Sequence, residues 1–288
     1  MRIFYYAQTG HRIGLDRFRR AAALINCMQN VDITLLTSDY RIASVAREYG
    51  VEKCVGIDVA RNIANIAEKG DKLLFDSDEA NPLMLEDMRG FFSSFVRISD
   101  AIEDQAAANE CLISPYEEGD STCKTLMIDE HYFGKFEKDV PLTYFFGDDD
   151  YEKDLEKHFD FIEGLDLHLQ MGFYYFIAYE DMLREKFANV FEFEEYPEMI
   201  RRTDILITSS PQAVLESLAS GGRPIYFQRE DYSQDLVPLL KELGVPVIFD
   251  YDKTALLEII KSISYKNYKR IEKNCYEIAP FIKNCLNL

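Results

Sequence analysis

The chain has 288 residues, 47% of them hydrophobic, and a formal net charge of −19 at pH 7. That is enough apolar material for one large core or two ordinary ones, which excludes a disordered chain. The excess of acid excludes a nucleic-acid backbone or an anionic membrane as the general partner.

No run approaches the roughly 18 apolar residues of a transmembrane helix, so no integral membrane segment is expected. Met1–Ala7 lacks the apolar core of a signal peptide. Six cysteines (Cys27, Cys54, Cys111, Cys123, Cys275, Cys285) show neither CxxC nor paired-histidine spacing. A reducing cytoplasm and no zinc site are the expectation.

In chain order, Ile3–Ala7 reads as a strand and Asp16–Gln29 as a helix, joined by the loop Gln8–Leu15 (QTGHRIGL). Gly10 and Gly14 allow a ligand close to the backbone, but their spacing is not GxGxxG, so no dinucleotide fingerprint is present. His11 reads either as a general base or as a surface histidine. The first twenty residues hold five arginines against one acid, Asp16. Arg12 and Arg17 are therefore candidates to face a small anion, the alternative being solvated or paired side chains.

Ile33–Leu36, Cys54–Ile57 and Lys72–Phe75 read as strands, with helices at Arg41–Tyr49, Ala60–Lys69 and Leu83–Phe91. Asp76 and Asp78 follow one strand, as Asp129, Glu130 and His131 follow another near Thr125–Ile128; acid–base and capping or solvated roles are both open for them. Phe95–Ile98 and Cys111–Ile113 complete a βαβα order, which implies a parallel sheet covered on both faces. Gly134–Pro141 (GKFEKDVP) reads as a linker, dividing a domain over 1–136 from one over 141–288. The last helix, expected from about Tyr268 onward, has the option of packing back on the first domain.

The second series starts with a strand at Leu142–Phe146 and the turn Gly147–Asp150. Its three acids suit a helix N-terminus better than a phosphate cradle. A helix over Tyr151–Phe159, a strand at Asp166–Gln170, a helix at Ile177–Phe187 and a strand at Val190–Phe193 follow. Tyr174 and Tyr175 suit packing more than ligand stacking.

The most informative stretch is Asp204–Phe227 (DILITSSPQAVLESLASGGRPIYF). It holds a strand over Ile205–Thr208, capping residues Ser209 and Ser210, Pro211 in the first helical turn, and a helix over Gln212–Ser220. Gly221 and Gly222 stop that helix before a strand at Pro224–Phe227. Helix N-termini beyond the carboxyl ends of parallel strands are anion sites, and Ser209, Ser210 and Gln212 lie there. Glu216 falls about a turn and a half further in. A strand at Val245–Phe249 and a helix at Thr254–Ser264 precede the last helix.

ANVFEFEEYPEMIRRTDILITSSPQAVLESLASGGRP resembles the C-terminal half of GT-B glycosyltransferases: a strand, a short helix, an aspartate-bearing strand, a small-residue turn and a helix carrying a glutamate. The resemblance implies two Rossmann-like doubly wound α/β domains facing a cleft, the first for sugar or acceptor, the second for nucleotide. Glu216 would bind ribose hydroxyls, with Gly147, Ser209, Ser210 and Gln212 near the phosphates. FYYAQTGHRIGLDRFRRAAALI is similar to the opening of the UDP-2,4-diacetamido-2,4,6-trideoxy-β-L-altropyranose hydrolase family of pseudaminic acid synthesis, matching at Ile13, Gly14 and Arg20. Arg17 stands at the position of that family's catalytic histidine.

The resulting expectation is a cytoplasmic enzyme acting on a UDP-sugar, by transfer or hydrolysis, in bacterial surface-glycan or flagellin-sugar metabolism. His11 or Asp76 would activate the acceptor; Gly10, Arg12, Gly14 and Arg17 would line the sugar and diphosphate. The partners are a nucleotide-sugar donor and a carbohydrate or protein acceptor. No cofactor is required, magnesium with a nucleotide diphosphate being the one ion left open. The alternative is a catalytically degenerate relative that recognises a carbohydrate or protein partner.

Overall fold

The computed structural model describes residues 1–288. The chain divides into two units. The first comprises Met1–Gly10, Arg17–Glu130 and Lys273–Leu288; the second comprises His11–Asp16 and His131–Glu272.

The first unit carries strands β1 (Ile3–Ala7), β2 (Ile33–Thr37), β3 (Cys54–Gly56), β4 (Lys72–Asp76), β5 (Ser94–Ile98), β6 (Cys111–Ser114) and β7 (Thr122–Lys124). They form one parallel sheet in the order β3-β2-β1-β4-β5-β6-β7. β1 and β4 are buried at every position, as central parallel strands covered on both faces must be. Helices α1 (Asp16–Cys27), α2 (Ile42–Val45), α3 (Ile63–Ile66) and α4 (Pro82–Phe91) connect them. Asn81 caps α4 by accepting from the Met84 N–H at 3.0 Å. Phe4, Tyr6, Phe75 and Phe95 on the sheet pack with Ile63, Met88 and Phe92 to form one core. Each such side chain contributes roughly 1.5–3 kcal/mol by leaving water.

The second unit carries β8 (Val140–Phe145), β9 (His168–Gln170), β10 (Asn189–Phe191), β11 (Thr203–Thr208), β12 (Arg223–Phe227) and β13 (Val247–Ile248), parallel in the order β10-β9-β8-β11-β12-β13. Its helices are α5 (Asp154–Lys157), α6 (Phe159–Ile162), α7 (Ile177–Lys186), α8 (Tyr196–Arg202), α9 (Pro211–Ala219), α10 (Val237–Glu242) and α11 (Lys253–Ser262). A last helix, α12 (Cys275–Cys285), belongs to the first unit and packs on β5. In each sheet the strand order reverses once, between β1 and β4 and between β8 and β11. At such switch points parallel sheets open a crevice beyond their carboxyl ends.

Several expected elements differ. The chain passes to the second unit after Glu130, and Val140 and Pro141 of the expected linker already lie in β8. The strand expected near Thr125–Ile128 is replaced by β7, a few residues earlier. The helix expected over Tyr151–Phe159 is two single turns, interrupted where His158 leaves helical geometry. The last helix starts at Cys275 and not near Tyr268; the chain before it is irregular, with the Lys269 N–H bonded to the Leu243 carbonyl at 2.9 Å. Four of the six scattered cysteines are paired: Cys27–Cys275 and Cys111–Cys285 are disulfides, leaving Cys54 and Cys123 free. Pairs 248 and 174 residues apart escape any spacing rule. No helix is long and apolar enough to cross a membrane.

Candidate functional site

The carboxyl ends of β8 and β11 and the loop His11–Asp16 gather most of the residues singled out from sequence. Ser210 is the N-cap of α9, its hydroxyl accepting from the Ala213 N–H at 3.0 Å, and Pro211 opens the helix. Ser209 donates to the Phe146 carbonyl, joining the ends of β11 and β8. Gly147 has φ +125, and a Cβ there would stand 3.3 Å from the Tyr232 hydroxyl and 3.5 Å from Ser209 Oγ. Gly14 has φ +77 and faces the same Tyr232 hydroxyl. Both positions require glycine for conformation.

The acids Asp148, Asp149 and Asp150 are all buried. Asp150 accepts from the N–H groups of Asp154 (2.7 Å) and Leu155 (3.1 Å) and from the Tyr179 hydroxyl. It thus serves as a helix N-terminal acid, and burial pushes its carboxyl above the usual range against those hydrogen bonds. Asp149 Oδ1 lies 2.8 Å from His11 Nδ1, and Oδ2 accepts from the Tyr151 N–H at 3.2 Å. The His11 ring stacks on Phe176 at 5.7 Å and also meets Tyr174 and Tyr151. With Nδ1–H donated to Asp149, Nε2 is left as the basic nitrogen. No group of three or more His, Cys, Asp or Glu side chains is placed to hold a metal ion.

Arg229, unremarked in the sequence reading, follows β12 into this edge. Its guanidinium lies 4.3 Å from the Phe146 ring and 4.4 Å from the Tyr232 ring, donates to the Asp149 carbonyl at 2.7 Å and pairs with Asp231. Its position after a strand end was the available signal, the same rule that drew attention to Ser209.

Asp16 was also missed. Its carboxylate accepts from Ser210 Oγ at 2.6 Å and from the Gln212 N–H at 3.2 Å, so a side-chain anion rests on the N-terminus of α9. Further along α9, Glu216 accepts from Gln212 Nε2 at 2.9 Å and from the Tyr196 hydroxyl of α8 at 2.7 Å. Glu216 is 1% exposed, and both its oxygens are engaged.

Arg12, with φ 65, pairs with Glu152 and lies over the Tyr151 ring at 5.2 Å. Gly10 ends the first segment of the first unit, with open space where a Cβ would stand. Arg17 is in the first unit, donating to Gln8 Oε1 at 2.7 Å and pairing with Asp78. Asp76 is 0% exposed. It accepts from Arg20 through both carboxylate oxygens and from the Tyr5 hydroxyl at 3.1 Å; Arg20 in turn holds Asp100 at 2.7 Å. Burial pushes the Asp76 carboxyl up and Arg20 opposes it. For Asp76, acid–base and capping or solvated roles were both open; the structure shows a buried carboxylate at the end of β4 held by Arg20 and Tyr5. Asp129 is engaged by Asn26 at 2.6 Å, and the His131 ring meets that of Tyr132 at 3.9 Å, tilted by 45°.

No family model and no curated protein sequence matches the chain. Among solved structures, it is similar to a Methanocaldococcus jannaschii UDP-GlcNAc 2-epimerase in complex with UDP-GlcNAc and UDP (12% identity, all of both chains, TM-score 0.63). It is also similar to Staphylococcus aureus MnaA in a co-structure with UDP (11% identity, 100% of this chain and 98% of that one, TM-score 0.61). A third is SsfS6, a Streptomyces sp. SF2575 glycosyltransferase (11% identity, 99% and 96% covered, TM-score 0.58). The fold is GT-B. At these identities the likeness establishes the two-unit α/β architecture alone. The β8–β11 switch point of the second unit carries Gly147, Ser209 and Ser210, and α9, which starts there, carries Glu216.

Proposed function

We propose that the chain is a nucleotide-sugar-dependent enzyme, UDP being the nucleotide, that transfers the sugar to a carbohydrate or protein hydroxyl or to water. The observation that carries this reading is the β11–Ser209–Ser210–α9 unit at a switch point, with Glu216 inside the helix. In this reading the diphosphate takes over from the Asp16 carboxylate at the start of α9, where the helix dipole favours negative charge. Glu216, turned from Gln212 and Tyr196, accepts hydrogen bonds from the ribose hydroxyls. Arg12 offsets charge on the leaving diphosphate, and magnesium enters only as the companion of that diphosphate.

His11 Nε2 removes the proton of the attacking hydroxyl as its oxygen bonds to the sugar's anomeric carbon. The bond from that carbon to the diphosphate oxygen breaks, and the diphosphate keeps the electron pair. Asp149 holds the imidazole in the required tautomer and stabilises the imidazolium formed. We place this activity in the cytoplasm of a bacterium, in surface-glycan or flagellin-sugar metabolism.

A panel of UDP-sugars incubated with the full chain, with release of UDP followed over time, tests the reaction. Release from at least one sugar that His11→Ala abolishes supports it; no release from any sugar, with or without a sugar acceptor, overturns it. One observation favours a second reading. The contacts made by Asp16 and Glu216 fill the polar positions a nucleotide would use, as in a relative that has kept the fold and lost catalysis.

A further inference from the structure

Both disulfides of the chain converge on one element. Cys275 is the first residue of α12 and Cys285 its last; their partners are Cys27, the last residue of α1, and Cys111, the first of β6. The first unit thus holds its C-terminal helix covalently at both ends, although the chain between Cys27 and Cys275 includes the whole of residues 131–272.

The remaining hold on α12 is modest. Ile278 and Ile282 are its buried apolar side chains, with Leu286 buried just beyond its end. Lys72 donates to the Leu286 carbonyl, and Asn274 Nδ2 donates to Thr125 Oγ1 and the Leu126 carbonyl. An eleven-residue helix is marginal in water by itself, so its folding depends on staying docked. The segment 268–274 leading into it has no regular structure and exposes Lys269, Arg270 and Lys273.

We propose that Cys27–Cys275 and Cys111–Cys285 form a redox latch on α12, locking the helix to the first unit when oxidised and releasing it to fluctuate when reduced. All four cysteines are partly exposed, so small thiols and disulfides reach them. Closure of each bond passes two electrons from the paired thiols to oxidised glutathione through a mixed disulfide; the two thiol protons end on two glutathione molecules. The free cysteines do not compete well: burial pushes the Cys54 thiol up to about 11 and raises that of Cys123, keeping both from the thiolate form that attacks disulfides. In a reducing cytoplasm such pairs act as sensors of oxidation.

The full chain, equilibrated with oxidised glutathione or with dithiothreitol, tests this by two readouts. Alkylation under denaturing conditions should label two cysteines in the oxidised protein and six in the reduced one. Amide hydrogen exchange in native buffer should then be at least tenfold faster across 276–286 after reduction, with β1 and β4 unchanged. The double variant Cys275→Ser, Cys285→Ser should exchange at the reduced rate in both buffers. Six labels in the oxidised protein would overturn the inference, since no bond would exist. Two labels with the same α12 exchange in both buffers would overturn it too, and that comparison holds on wild-type protein even if the variant fails to fold.

Discussion

Asp149 Oδ1 lies 2.8 Å from Nδ1 of His11, a residue 138 positions earlier in the chain. Asp149 is fully buried and His11 about a third exposed, so a fixed carboxylate holds an imidazole that is partly open to solvent. In the proposed reaction Asp149 positions the ring and His11 transfers the proton. His11→Ala should lower kcat by about 100-fold or more, the usual scale of general acid–base catalysis, with UDP affinity unchanged. Asp149→Asn should also lower kcat with UDP affinity unchanged, because it disturbs the tautomer and leaves the ring in place. Steady-state kinetics with calorimetric UDP binding check both variants; an unchanged kcat in Asp149→Asn would remove Asp149 from the mechanism.

Asp16 makes the opposite kind of contact, an internal anion on the start of α9. A phosphate bound there must displace it or share the site with it. Asp16→Asn should therefore tighten UDP binding by roughly 3- to 10-fold, in line with about 0.5–1.5 kcal/mol for a charge at a helix N-terminus. Calorimetry on wild type and variant measures this directly. Weaker binding by the variant would mean that Asp16 supports the ligand.

Asp76 is a stability prediction. Removing its charge leaves Arg20 buried with only Asp100 to pair, and breaking a buried pair costs on the order of 3 kcal/mol. Asp76→Asn should lower the urea midpoint accordingly, and kcat of the protein still folded should change less than threefold. A large kcat loss at unchanged stability would restore Asp76 as an acid–base group.

Lys138 reports on pH. Its ammonium donates to the Ile200 carbonyl at 3.3 Å and Ser220 Oγ at 3.1 Å, and burial lowers its pKa from the ordinary 10.5 to about 8. Between those values the unfolded chain still binds a proton that the folded chain has released, so this group makes stability rise with pH from about 8 towards 10. The urea stability of wild type relative to Lys138→Met should increase over that window and stay flat below pH 7. A difference independent of pH would contradict the assignment.

Legibility in the sequence followed distance along the chain. Ser210 and Pro211 were readable because cap and helix are adjacent, and β1 and β4 because parallel strands covered on both faces are continuous apolar runs. Gly147 and Gly14 were visible as glycines, though not the Tyr232 hydroxyl they share. What escaped were pairings across long separations: Asp149 with His11, Asp16 with α9, Asp76 with Arg20, and both disulfides. Asp76 illustrates the limit. Its place after a strand was correct, but its burial depended on an arginine 56 residues away that no local pattern connects to it.

In the proposed function α9 and Glu216 hold a uridine nucleotide. Isothermal titration calorimetry of the full chain with UDP, with and without magnesium, tests this most directly. Saturable binding of one UDP per chain is expected, weakened at least tenfold by Glu216→Gln. Absence of binding heat in both wild type and Asp16→Asn, or equal affinity in Glu216→Gln, would contradict it.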